Sequence, residues 1–255
     1  MGAYGWKATI GFIGPPRTNE TVLNEAFRLA PEGISWCWSV MGLPEFGKYE
    51  FDEALRLAAV CAKELAARDV DVIVTAGIPL MTAKEPGYHE QLERELADTI
   101  GNSKPVTSDL QCVINALNAF DLNKIVVSSL YQDYIQDNVI RYLAHYGIQT
   151  LADERLNFAL ADCMTRPTMD TAYESAVTAA EKAPAAQGLL LACPQWPVIG
   201  NLNRLEQRIG KPVIAHLPAI MWGALSRIGI REPLDQYGTL LRKWPEWDSR
   251  SSRAA

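Results

Sequence analysis

The feature that most constrains this 255-residue chain is alternation. Short apolar, β-rich runs change places with helix-length amphipathic segments throughout, the pattern of an α/β fold built on parallel sheets. The spacing predicts strands at 8–13, 34–40, 70–75, 105–107, 124–129, 148–152, 188–192 and 212–216. Between them it predicts helices at 21–29, 51–68, 89–100, 109–120, 132–146, 170–183, 202–209 and 219–228. Ser108 followed by Gln111 reads as a capping box, and Gly147 and Gly210 read as helix stops.

The alternation also recurs at long range. An offset of 116 residues carries the strand ending VIVTAG at Gly77 onto the strand ending LLLAC at Cys193, and Ile13 and Pro15 onto Ser129 and Tyr131. Two apolar strands coincide easily in an α/β chain, so chance and duplication both account for the match. Duplication predicts two pseudo-symmetric Rossmann-like α/β halves, with mostly parallel sheets, facing each other across a central cleft at the carboxyl ends of their strands. Gly77 and Cys193 would then face each other across a substrate. The corresponding boundaries are 1–110 for the first half and 111–217 for the second. A C-terminal helical segment, 218–240, is expected to pack back on the first half, and a tail, 241–255, to end in a disordered stretch from Ser249 to Ala255.

Composition removes several function classes. A net charge of −6 and no Lys/Arg-rich block argue against a nucleic-acid partner. No apolar run approaches the ~18 to 20 residues that cross a bilayer, and the N-terminus lacks a signal-peptide pattern, so no membrane partner is expected. Five scattered cysteines (Cys37, Cys61, Cys112, Cys163, Cys193) without a C-x-x-C pair suit free thiols in a reducing, cytoplasmic setting. The three histidines make no metal-ligand spacing, so no metal is expected. P-loop, dinucleotide and nucleophile-elbow motifs are absent, so no cofactor is expected either.

What remains is a cleft with one distinctive thiol. Cys193 ends an apolar strand and opens the stiff loop Pro194-Gln195-Trp196-Pro197, where amide dipoles can activate a thiol. The plain alternative is a small buried hydrophobe, which is the reading given to the other four cysteines. Tyr131 follows a strand end and offers a hydroxyl; Arg17 could pair a carboxylate; His216 ends a strand and reads as a satisfied structural histidine. Phe46, Tyr49, Met81 and Trp196 are candidates to line an apolar pocket.

These residues resemble the aspartate/glutamate racemase superfamily, in its maleate isomerase and arylmalonate decarboxylase branch, over roughly residues 8–228. The strand Asp71 to Gly77 is similar to the one that carries the first catalytic cysteine of maleate isomerases, followed by a matching Gly87-Tyr88-His89. Cys193-Pro194-Gln195-Trp196-Pro197 keeps the Cys-x-Gln-x-Pro pattern of the second-cysteine motif. Tyr131 matches a substrate-binding tyrosine, Asn157 aligns with a binding asparagine, and Pro15-Pro16 resembles the first-strand loop of the decarboxylases. The resemblance implies two α/β halves around one cleft. It also implies a mechanism, because Gly77 stands where racemases and maleate isomerases need a thiol, as it does in the decarboxylases.

The expectation is therefore a cofactor-independent enzyme that makes a carbanion or enediolate next to a carboxylate and protonates it with Cys193, most simply by decarboxylating a substituted malonate-like acid. Candidate binding residues are Pro15, Thr18, Asn19, Thr75, Gly77, Ile78, Tyr131, Asn157, Pro194, Gln195 and Trp196, with the Gly77 and Ile78 amides as donors to the anion. Pro79 and Pro194 depart from the decarboxylases, which carry polar or amide donors there, and point to a different substrate. The rivals are a maleate cis-trans isomerase-like or racemase-like isomerase acting on a small dicarboxylate, and a non-catalytic small-acid binding protein. The substrate's side group, its stereochemistry and the oligomeric state are left open.

Overall fold

The structure, a computed structural model, describes residues 3–248, so the Ser249 to Ala255 stretch read as disordered lies outside the described residues. The first half runs β1 (Ala8–Pro16), α1 (Thr21–Leu29), β2 (Ile34–Leu43), α2 (Lys48–Ala67), β3 (Val72–Thr75), α3 (Ile78–Thr82), α4 (Tyr88–Thr99), β4 (Val106–Ser108) and α5 (Asp109–Asn118). The chain continues through β5 (Lys124–Ser129), α6 (Asp133–His145), β6 (Gln149–Arg155), α7 (Leu160–Thr165), α8 (Met169–Lys182), β7 (Gly188–Leu191), α9 (Leu202–Ile209) and β8 (Val213–Ala215). It closes with α10 (His216–Arg227) and α11 (Gly238–Lys243).

Two four-stranded sheets form, ordered β2-β1-β3-β4 and β6-β5-β7-β8, and every pairing is parallel. The 116-residue offset carries Val72–Thr75 of β3 onto Gly188–Leu191 of β7, and the start of β1 onto the start of β5. One arrangement is thus built twice. Its inner strands are buried along nearly their whole length, because helices cover both faces; that is why they read as continuous apolar runs rather than alternating ones.

The halves meet most extensively through α5 and α10, each of which directly follows the last strand of its own sheet. Gly223 permits this approach: a Cβ there would lie 2.4 Å from Cys112 Sγ. The crossing brings the first residues of the two helices, Asp109 and His216, into hydrogen-bond contact at 2.8 Å.

Several expectations are corrected. His216 begins α10 rather than ending a strand; Pro218 does not delay the helix, because in a first turn its missing N–H has no intrahelical partner to lose. The capping box at Ser108 is half present. Ser108 Oγ accepts from Gln111 N at 3.0 Å, but the Gln111 side chain turns to His89 and Asn115, and Glu93 takes the Ser108 N–H at 2.6 Å. Helices α3, α7 and α11 were not expected. From 241 onward the chain packs instead of trailing: Leu241 and Trp244 are buried, and Trp222 Nε1 donates to the Pro245 carbonyl at 2.9 Å. Helix α10 packs on α5, β3 and α1, and α11 on α9, α10 and β8. All five cysteines are free thiols. Among the described residues no helix is long and apolar enough to cross a membrane, and no cluster of His, Cys, Asp or Glu could hold a metal ion.

Candidate active site

The carboxyl ends of β1, β3, β5 and β7 and the starts of α3, α5 and α7 converge on one partly open cavity of about 40 Å³. By that measure it has room for a few water molecules. Of the residues singled out from sequence, Pro15, Asn19, Gly77, Ile78, Tyr131, Cys193, Pro194 and Gln195 line it, and so does Phe46. Thr75 and Trp196 are buried outside the lining, as is Met81, while Thr18 and Asn157 are exposed and Tyr49 is 70% exposed. Arg17 is exposed and donates from Nε to the Gly42 carbonyl at 2.8 Å.

Cys193 is buried at the start of the loop, and Trp196 N donates back to its carbonyl at 3.3 Å. Its thiol has an unforeseen neighbour. Cys163, on α7, lines the same cavity and donates to the Phe158 carbonyl at 3.9 Å; the neighbouring Cys193, together with burial, pushes the Cys163 thiol far above the ordinary range. The fully buried Tyr131 donates its hydroxyl to the carbonyl of Ala192, the residue before Cys193, at 3.1 Å. Burial, with Cys193 and Asp109 adding to it, raises the Tyr131 phenol well above its usual value, so it stays a neutral donor. Gln195 is 3% exposed, and both its Nε2 and Oε1 are without a partner. A buried amide with both ends unsatisfied in a cavity wall has a donor and an acceptor that a polar group entering the cavity could satisfy.

The opposite wall overturns one expectation. Gly77 N and Ile78 N, read as free donors for a substrate anion, both donate to Asp109 Oδ2, at 2.8 and 3.3 Å, and His216 Nε2 reaches the same oxygen at 2.8 Å. The protein's own carboxylate occupies them. Asp109 is 1% exposed and is the one charged side chain in the lining; no Lys or Arg is there. Sequence reading missed it because an acidic residue after a Ser cap looks like ordinary helix-start chemistry. Gly77 itself has φ +133°, and a Cβ there would stand 3.2 Å from Pro15 Cγ, so the backbone at this wall is shaped for glycine.

His89 lies away from the lining. Its buried ring is held between Tyr142 Oη at 2.9 Å and Gln111 Oε1 at 3.1 Å, and burial lowers its pKa to about 4, which leaves it a neutral brace between α4, α5 and α6.

Comparisons with known proteins agree with this fold. The arylmalonate decarboxylase of Bordetella bronchiseptica is 24% identical over 221 residues, covering 87% of this chain and 90% of that protein. The crystal structure of the maleate isomerase Iso from Pseudomonas putida S16 matches with a TM-score of 0.84 at 23% identity, over 93% of this chain and 99% of that one. Unliganded arylmalonate decarboxylase matches with a TM-score of 0.79 at 22% identity, over 92% and 99%. The family model for arylmalonate decarboxylase matches residues 10–241, and the chain belongs to that family.

Proposed function

We propose that this is a cofactor-independent enzyme in which Cys193 protonates a carbanion or enediolate formed next to a carboxylate, and that its reaction is decarboxylation of a substituted malonate-like acid. The observation that carries the reading is the presence, in one apolar cavity, of the Cys193 thiol, the unpartnered Gln195 amide and a glycine at position 77. The unpartnered Gln195 amide N–H, two residues from Cys193, would hold the retained carboxylate as it becomes an enediolate, and the Tyr131 hydroxyl would join it by releasing the Ala192 carbonyl. The C–C bond to the other carboxylate breaks, CO₂ leaves, and its bonding electrons enter the enediolate. The thiol proton then passes to the α-carbon, and solvent returns a proton to sulfur. The cavity has only about 40 Å³ of free space, so a bulky substituent would displace lining side chains such as Leu160 and Met164 or extend towards the open side.

Likeness to maleate isomerases supports a second reading, isomerisation of a small unsaturated dicarboxylate. Proton NMR in D₂O separates the two. With phenylmalonate, methylphenylmalonate and maleate as probes, the expected result is CO₂ loss from a malonate with one deuterium installed, reduced by about 10²- to 10⁴-fold in Cys193→Ala. Fumarate from maleate would replace this reading with the isomerase. No turnover of any acid, with binding unchanged by Cys193→Ala, would leave a binding protein.

A further inference from the structure

Asp109 and His216 are equivalent positions of the repeated fold. Each is the first helical residue after the fourth strand of its half, β4 into α5 and β8 into α10. They meet where the halves join, with His216 Nε2 donating to Asp109 Oδ2 at 2.8 Å, both about 1% exposed in their side chains. Oδ2 is fully engaged, since the Gly77 and Ile78 amides donate to it as well. Oδ1 has no partner, and Asp109 lines the cavity whereas His216 does not. The carboxylate is therefore clamped through one oxygen, its other oxygen is buried without a partner, and the cavity lining it belongs to has no Lys or Arg. Gly77, whose amide clamps it, is the residue that the 116-residue offset pairs with Cys193. The first half thus presents a carboxylate at the place where the second half presents a thiol.

We infer that Asp109 is a second proton-transfer group, held in position by His216, and that the site interconverts the enantiomers of α-chiral monocarboxylic acids. This rests on the reading of Cys193 as the residue that protonates a carbanion next to a carboxylate. Asp109 Oδ1 takes the α-proton from one face: the C–H bond breaks, an O–H bond forms, and the electron pair enters the enediolate. The Cys193 S–H bond then breaks and a C–H bond forms on the other face, leaving thiolate and a protonated Asp109. This is the starting state for the reverse direction, and exchange with solvent restores the first. The substrate of this interconversion carries one carboxylate and an α-hydrogen, the class of acid that loss of CO₂ from a substituted malonate in the same cavity would leave.

The test follows α-hydrogen exchange and optical inversion of (R)- and (S)-2-phenylpropionate in D₂O, for the wild-type chain, Asp109→Asn and Cys193→Ala. Wild type is expected to interconvert the enantiomers with deuterium uptake. Each variant is expected to lose interconversion by at least ~10²-fold while keeping exchange of one enantiomer, a different one in each. His216→Ala is expected to slow interconversion, and His216→Gln, which keeps an N–H donor, to recover part of it. Interconversion at the wild-type rate by Asp109→Asn, or loss of exchange from both enantiomers together in that variant, overturns the inference. Phenylmalonate run in parallel separates the two claims. Cys193-dependent CO₂ loss with no inversion of 2-phenylpropionate by wild type overturns only the second group; inversion without CO₂ loss supports it and overturns the decarboxylase; neither activity overturns both.

Discussion

After β3 the chain turns at once into α3, and the first amides of that turn are consumed by Asp109. After β7, the equivalent strand, it runs through Cys193-Pro194-Gln195-Trp196-Pro197 without a helix until α9, and the Gln195 amide is left unpaired. The strands share order and orientation, yet one strand end is saturated by the protein itself and the other leaves the Gln195 amide unpaired. Sheet pairing and helix covering fix the backbone of both halves, whereas the few residues beyond each strand end are free to differ, and the chemistry lies there.

Five substitutions would break or sharpen that contrast. The largest effect is expected at the open end: Gln195→Leu should raise KM about tenfold to a hundredfold by removing a hydrogen bond to a charged group. It should leave the urea midpoint unchanged or higher, since two buried unpaired atoms disappear. At the saturated end, Gly77→Cys gives the first half a thiol and should cost about 1–3 kcal/mol in urea unfolding, from the positive φ and the Pro15 contact.

Two bonds that tie the halves together should answer pH in opposite ways. His89, bonded to Tyr142, is depressed from 6.5 to about 4 by burial, so its contribution is present above pH 6.5 and lost as pH falls through about 4. Glu25 accepts from Ile199 N at 3.2 Å, and burial raises it from 4.5 to about 7, so its contribution is present below pH 4.5 and lost as pH rises through about 7. Denaturation midpoints between pH 4 and 8 should lose the acid-side fall in His89→Gln and the rise-side fall in Glu25→Gln. The smallest effect is expected at the helix caps. Only α5 has a side-chain cap among the two axial helices, so Ser108→Ala makes it resemble α10 and should cost about 1 kcal/mol by thermal or urea melting.

Much of the fold was legible because buried parallel strands write themselves as apolar runs; Lys124–Ser129 and the helices at Thr21–Leu29 and Leu202–Ile209 coincide with their sequence boundaries. Helices α3 and α7, of 5 and 6 residues, are too short to show a period, and Pro79 looks like a breaker although it sits in a first turn. Missing α7 hid Cys163, which read as structural. The Cys193 end of the site was legible from its strand and loop. Asp109 was not, because its partner lies 107 residues away and only the assembled halves bring them together.

The contact between α5 and α10 has a consequence for how such a site can arise. Were the two halves separate, identical chains related by a two-fold axis, the position on the axis would face its own copy, acid against acid or imidazole against imidazole. Two buried carboxylates at that distance could not both stay ionised. Joining the halves in one polypeptide releases each copy to change alone, and an aspartate can then answer a histidine across what was a mirror of equals. The asymmetry at the centre of this molecule is available only to a fused chain.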